Sequence, residues 1–359
     1  MNRIYNFSAG PSMLPPSVVA RIQTDLPSWR STGMSVMEMS HRGAAFGEIA
    51  EKTRADFRAL INAPDHYHIL FLAGGARAQF AAIPLNLTAT KNKVTYFNTG
   101  AWSKAAIAEA ERYVSVEIVA SSEASSFTTL PPPDQWRIDP DAAYVHYTAN
   151  ETIDGVEFQD TPDVGAIPLV SDMSSNILSR SIELARFGLI YAGAQKNLGI
   201  AGLGVVIVRD DLLGRARAET PAVLNYTSQA QQGSMVNTPP VFAWYVLGLV
   251  LEWVKEQGGV VEIEKRNIAK ARTLYDAIDA SSLYSNPVKK AVRSRMNVPF
   301  RLTEALQERF LTEAQAAGLV NLEGHRSVGG LRASIYNAMP EEGVDALIAF
   351  MRDFEKRRG

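Results

Sequence analysis

Lys196 lies in the stretch Tyr191-Ala192-Gly193-Ala194-Gln195-Lys196-Asn197-Leu198-Gly199, between the apolar runs 187–192 and 204–208. The pattern predicts two buried strands joined by a turn that presents a single lysine. An unpaired ammonium is costly to bury. Such a lysine is therefore either solvated at its turn or kept as a neutral amine with chemistry to perform. A neutral amine at a strand exit can form a Schiff base with an aldehyde, as in enzymes that use pyridoxal phosphate.

Four other apolar runs end in reactive residue types. Run 69–72 passes into Gly74-Gly75-Ala76-Arg77-Ala78-Gln79, where small residues at a helix start leave backbone N–H groups free to hold a phosphate. The segment lacks the Lys-Ser/Thr pair of a nucleotide P-loop and the full dinucleotide fingerprint, and alone it is a common Gly-Gly turn. Run 94–97 is followed by Asn98-Thr99-Gly100-Ala101-Trp102, whose indole is either a core filler or a platform for a flat ring. Run 144–147 leads to Thr148-Ala149-Asn150-Glu151-Thr152-Ile153-Asp154-Gly155, a polar turn in which Thr152 could bind a ring hydroxyl. Run 168–170 leads to Ser171-Asp172. That aspartate either caps a helix or holds a pyridine nitrogen protonated, which turns the ring into an electron sink. Each feature has a plain structural alternative, but together, at successive strand exits, they point to one bound pyridoxal phosphate.

A second group is cationic: His41-Arg42, His325-Arg326 and Arg332, all outside these runs. Arginine forks match carboxylate and phosphate oxygens. Each charge-assisted hydrogen bond is worth roughly 1.5–3 kcal/mol. Several around one dianion would select a phosphorylated substrate; singly, each is a surface cation.

A layered scaffold must position these residues. Runs 69–72, 94–97, 116–119, 144–147, 168–170, 189–192 and 205–208 alternate with helical patterns such as 101–112. That alternation predicts an α/β fold whose large domain has a mostly parallel seven-stranded sheet with helices on both faces. Ligands of such sheets sit beyond the carboxyl ends of the strands. A helix is expected from Ser17, capped by its hydroxyl, and another through Phe46, Ile49, Phe57 and Leu60. The stretch 241–255 is apolar nearly all round, a helix buried in the core or against a partner subunit. Past Gly258-Gly259 a further helix carries Ile268, Ala271, Tyr275 and Ile278 on one face. Strands are expected at 296–302 and 331–335, and helices at 303–317 and 341–356. The last helix turns Val344, Leu347, Ile348, Met351 and Phe354 inward, and its acidic start and basic end suit the helix dipole. The expected division is a large domain at 17–258 and a smaller α+β domain formed by 1–16 and 259–359.

A chain of 359 residues is long enough for two domains with proper cores. Hydrophobic content of 46%, charged content of 21% and a net charge of −2 give no footprint for nucleic acid or an anionic membrane. Without cysteine, disulfides, thiolate metal sites and cysteine nucleophiles are excluded. His41, His66, His68, His146 and His325 show no zinc-ligand spacing, so no metal is expected. The start, Met1-Asn2-Arg3-Ile4-Tyr5-Asn6-Phe7, lacks the apolar stretch of a signal peptide. The greasiest run, 241–251, is shorter than the ~20 residues that span a bilayer. A soluble, cytoplasmic protein is expected.

Motifs over nearly the full length carry a family resemblance. They are Phe7-Ser8-Ala9-Gly10-Pro11, Ser40-His41-Arg42, Gly74-Gly75-Ala76-Arg77, Asn150-Glu151-Thr152-Ile153 and Asp172-Met173-Ser174-Ser175. Further on come Ala192-Gly193-Ala194-Gln195-Lys196-Asn197, Asn237-Thr238-Pro239-Pro240, and Gly324-His325-Arg326 through Arg332-Ala333-Ser334-Ile335-Tyr336-Asn337. Together these resemble the phosphoserine aminotransferase family, class V and fold type I among pyridoxal-phosphate enzymes. The resemblance implies that Lys196 joins the cofactor, Asp172 pairs with its ring nitrogen, Trp102 stacks on the ring and Thr152 contacts its hydroxyl. It also implies that Ala76, Arg77 and Gln195 hold the cofactor phosphate, with Asn237 and Thr238 reaching it from the other subunit of a homodimer. His41, Arg42, His325, Arg326 and Arg332 match the family's site for substrate phosphate and carboxylate, with Arg332 expected to serve the phosphate. The implied reaction moves an amino group from L-glutamate to 3-phosphohydroxypyruvate, giving O-phospho-L-serine and 2-oxoglutarate for serine biosynthesis. 4-Phosphohydroxy-L-threonine, of pyridoxine biosynthesis, is a second candidate substrate. The chain departs from the family's frequent residues at Ala44, Ile200, Gln229 and Val236, which bear on the dimer-contact loop. The rival functions are a glyoxylate-type aminotransferase of the same class and a non-catalytic regulator that binds pyridoxal phosphate or a phosphometabolite.

Overall fold

The computed structural model describes residues 4–358. Met1, Asn2, Arg3 and Gly359, which the expected small domain includes, lie outside the described residues. Seven strands form one sheet in the spatial order Tyr67–Ala73, Leu203–Arg209, Leu189–Gly193, Leu169–Asp172, Val145–Thr148, Lys93–Asn98, Ser115–Ser121. Each expected apolar run falls on one of them. Neighbours from Leu189–Gly193 to Ser115–Ser121 pair in parallel, whereas Leu203–Arg209 is antiparallel to both of its neighbours. The chain returns from Gly193 to Leu203 without a crossover helix, and so short a link permits only an antiparallel return.

Successive residues of a strand face opposite sides, and both sides here are covered. Ile69, Phe71, Val205 and Ile207 face one core, with Phe46, Phe57, Trp244 and Leu247 from the helices Ala44–Leu60 and Val241–Glu256. Leu70, Tyr96, Val170, Tyr191 and Val206 face the other, under Phe80, Ile83 and Ala106 from the helices Gly75–Leu87 and Ala101–Ala110. Each such large apolar side chain contributes about 1.5–3 kcal/mol on burial. The Val241–Glu256 helix is a core element of this chain: Trp244 meets Phe46 edge-on at 5.5 Å and Phe71 at 4.6 Å.

A third cluster lies toward the C-terminus. The strands Asn297–Phe300 and Leu331–Ser334 pair antiparallel, and Phe310 packs against Phe300 and Phe354. Val344, Leu347, Ile348, Met351 and Phe354 of the Glu341–Arg358 helix are buried in it, as expected. Tyr5–Asn6 pairs parallel with Leu319–Val320, so the N-terminal arm joins this cluster and buries Phe7 there. The Gly259–Asp279 helix links the cores, with Val260 and Ile263 in the first and Ala271, Leu274, Tyr275 and Ile278 in the third.

Two local expectations are corrected. The first helix is Pro16–Asp25, with Pro15 at its N-cap and no side-chain cap from Ser17. Proline at the first helical position has no N–H to satisfy, which removes one need for a hydroxyl. Ile268, expected inward, is 41% exposed. The inward stripe instead includes Asn267 and Lys270, drawn in by hydrogen bonds to Ser179 O and to the carbonyls of Ile335, Tyr336 and Met339. Among the described residues, no helix is long and apolar enough to cross a membrane.

Candidate active site

The carboxyl ends of the parallel strands open into one cavity of about 360 Å³, in the range of sites for small ligands. Ala76, Arg77, Trp102, Thr152, Asp172, Gln195 and Lys196 all line it. Residues scattered over more than a hundred positions of sequence meet there because each lies at, or within a few residues beyond, the carboxyl end of a strand of the seven-stranded sheet.

Lys196 sits in the turn between Leu189–Gly193 and Leu203–Arg209 and is buried. Its Nζ donates to Thr152 Oγ1 at 2.6 Å and lies 5.6 Å from the centroid of the Trp102 ring. Burial pushes the amine down to about 8, helped by the charge of Arg332 and opposed by Asp172 and Glu151. The turn is gripped from two sides. Ser12 Oγ donates to Lys196 O at 2.6 Å while Ser12 N donates to Gln195 O at 3.0 Å. Asn197 Nδ2 donates to Ile177 O at 3.1 Å.

Asp172 ends its strand and accepts from Ser174 N at 2.8 Å. Burial pushes its carboxyl above the usual carboxylate range, against the hydrogen bonds of Ser174, the charge of Lys196 and the Tyr191 phenol. A cation or protonated ring nitrogen brought opposite it would restore the ionised form.

Two helix starts border the cavity, and they differ. Gly75–Leu87 begins after Gly74, whose φ of 97° is the left-handed conformation glycine adopts freely, and has no side-chain cap. Its first N–H groups, beside Arg77, are suited to an anion. Ala101–Ala110 is closed by its own chain: Glu151 accepts from Trp102 N and Ser103 N, and Asp154 from Ala101 N. Trp102 Nε1, Thr148 Oγ1 and Gln195 Oε1 are buried on the cavity wall with no partner among the described residues. An amine, a carboxylate, an aromatic face, an open helix start and spare polar atoms around one small cavity fit pyridoxal phosphate. Among the described residues, no group of three or more His, Asp or Glu is arranged to hold a metal.

The remaining sequence candidates are only partly gathered. Arg332 is half-buried in the strand Leu331–Ser334, its Nε has no partner among the described residues, and its charge acts on Lys196. Burial pushes the Asp154 carboxyl up, opposed by the Ala101 N–H and, to a lesser degree, by the charges of His325 and Lys104. His41 is half-buried with Nε2 unpartnered among the described residues, and Arg42 and Arg326 are exposed. Asn237 and Thr238 are exposed and do not line this cavity. Sequence reasoning missed Ser12, Glu151 and Asp154 as parts of the site. Ser12 directly follows the Phe7-Ser8-Ala9-Gly10-Pro11 motif and Glu151 adjoins Thr152, and those neighbours were the available signal.

Fold and site define an aminotransferase of class V, and the family model described as Aminotransferase class-V matches residues 4–347. A phosphoserine aminotransferase of Nitrosomonas europaea is 58% identical over 365 residues, covering 99% of each chain. Among solved structures, the phosphoserine aminotransferase from Bacillus circulans subsp. alkalophilus matches at 46% identity with a TM-score of 0.98, covering 100% of both chains. The phosphoserine aminotransferase from Trichomonas vaginalis, solved with pyridoxal phosphate bound, matches at 42% identity with a TM-score of 0.94, covering 98% of this chain and 100% of that one. The chain belongs to the phosphoserine aminotransferase family.

Proposed function

We propose that the protein is a cytoplasmic, homodimeric phosphoserine aminotransferase. It uses pyridoxal 5'-phosphate to move the amino group of L-glutamate to 3-phosphohydroxypyruvate, forming O-phospho-L-serine and 2-oxoglutarate. The observation that carries this reading is the buried Lys196 amine, held by Thr152, sharing one cavity with the buried Asp172 carboxylate. When bound, the cofactor supplies an aldehyde and a ring that withdraws electrons from the substrate's α-carbon.

The chain's own residues do the rest. Lys196 Nζ, which burial makes far easier to deprotonate than a solvated lysine, anchors the cofactor at rest and, once displaced by the amino donor, takes the proton from the substrate α-carbon. Thr152 Oγ1 fixes where that nitrogen stands. Asp172 holds a proton at the ring nitrogen, and Trp102 walls one side and excludes water. Ala76, Arg77 and Gln195 take the cofactor phosphate, joined by Asn237 and Thr238 from the partner subunit.

Arg332 acts on Lys196 electrostatically, which favours it for the substrate carboxylate beside the reacting carbon rather than for the phosphate expected from sequence. His41, Arg42, His325 and Arg326 then serve the substrate phosphate. The same reading keeps 17–258 as the large domain, with 1–16 and 259–359 as the small one.

The test is a pair of half-reactions. Glutamate should bleach the visible band of the loaded protein, and 3-phosphohydroxypyruvate should restore it far faster than glyoxylate does. Restoration by glyoxylate alone would identify a glyoxylate-type enzyme, and no bleaching at all would identify a binder.

A further inference from the structure

Glu151 and Thr152 are adjacent, and they hold two different parts of the site. Thr152 Oγ1 accepts from Lys196 Nζ at 2.6 Å. Glu151, with none of its surface exposed, accepts from Trp102 N through Oε2 and from Ser103 N through Oε1, both at 2.9 Å. Asp154 Oδ2 accepts from Ala101 N at 3.0 Å, while Ser103 Oγ accepts from Thr99 N at 2.9 Å and Gly100 N at 3.0 Å. Every N–H from residue 99 to 103 is thereby taken by a side chain.

A helix start needs no such arrangement for stability alone. One serine, threonine or asparagine caps adequately, and burying carboxylates without a paired cation is unfavourable. The two acids also oppose each other: burial first, and then the charge of Asp154, push Glu151 up to about 7. The backbone is fitted to them, because a Cβ on Gly100 would stand 2.5 Å from Asp154 Oδ2 and from Glu151 Cδ. What the clamp gains is a fixed origin for Trp102, whose ring stands 5.6 Å from Lys196 Nζ.

We propose that Glu151, assisted by Asp154, is a positioning residue of the reaction: it locks the first turn of the Ala101–Ala110 helix so that Trp102 is held against the cofactor in register with Lys196 and Thr152. This rests on the cofactor reading above. Glu151→Gln keeps the size and one acceptor oxygen but sets an amide N–H against a backbone N–H.

In the loaded enzyme, Glu151→Gln should speed cofactor release about tenfold, alter the visible circular dichroism of the bound cofactor and lower kcat about tenfold, with KM for glutamate within about twofold. A purely structural cap would lower the thermal midpoint and leave release and dichroism unchanged. The deciding measurement is a double-mutant cycle with Trp102→Ala. If Glu151 acts through Trp102, adding Glu151→Gln to Trp102→Ala changes release by less than about twofold; effects that multiply in full overturn the proposal. Should Glu151→Gln fail to fold, Asp154→Ala, which removes the side-chain acceptor of Ala101 N at a half-buried residue, is put through the same cycle with the same two outcomes. Wild-type protein without a bound-cofactor band would instead sink the cofactor reading, so the two failures are distinguishable.

Discussion

Asn197 Oδ1 accepts a hydrogen bond from Asn337 N at 3.0 Å, which ties the residue after Lys196 to the turn after the strand Leu331–Ser334. Asn337 in turn donates through Nδ2 to Leu178 O at 2.9 Å and accepts from Asn267 Nδ2 at 2.8 Å. The strand that carries Arg332 is thus fastened to the sheet end that carries Lys196. Asn197→Ala leaves the buried Asn337 N–H unpaired, at a cost of about 1–3 kcal/mol. Denaturant unfolding of the variant should show that loss together with a lower kcat, and an unchanged unfolding midpoint would contradict the tie.

The amine of Lys196 sets a pH dependence. Burial lowers it to about 8, so the neutral, nucleophilic form dominates above that pH and the ammonium below. Capture of pyridoxal phosphate by the apoprotein should therefore slow about tenfold per pH unit below 8 and level off above it. Arg332→Gln removes a charge that lowers this amine, so the break should move to higher pH. Stopped-flow absorbance checks both, and a profile flat from pH 6 to about 9 would refute the buried-amine account.

The proposed division of the substrate among the cations makes separable predictions. Arg332→Ala should cut kcat/KM for glutamate and for 3-phosphohydroxypyruvate alike, by about 10–150-fold for one lost charge-assisted bond. Arg326→Ala should spare glutamate and penalise the phosphorylated substrate. Steady-state kinetics on both substrates decides, and a loss confined to the phosphorylated substrate in Arg332→Ala would return Arg332 to the phosphate.

Asn237 and Thr238 stand exposed in one chain, whereas Ala76 and Arg77, the proposed phosphate seat, line the cavity. If they serve a partner's site, cofactor affinity depends on association. Sedimentation should show a dimer whose dilution to monomer releases cofactor, and Thr238→Ala should weaken cofactor binding without changing the association constant. A monomer that keeps its cofactor would exclude the shared site.

Much of this was legible in the sequence for a physical reason. Strands covered on both faces must be apolar throughout, so runs such as 205–208 announce themselves, and parallel sheets place ligands where those runs end. Lys196, Asp172, Trp102 and Thr152 were found that way. Contacts to backbone groups leave no such trace. Glu151 serves N–H groups 48 and 49 residues away, and Ser12 serves a carbonyl 184 residues away. No residue type marks the receiving end. The inward turn of Asn267 and Lys270 was hidden likewise, because a helical period ranks them as polar while their carbonyl partners lie on distant turns.

The central claim concerns which nitrogen holds the cofactor, and borohydride reduction of the loaded protein followed by peptide mass mapping tests it most directly. One reduced pyridoxyl group on Lys196 is predicted. A group on Lys270, the other buried lysine among the described residues, or no labelled lysine at all, would contradict it.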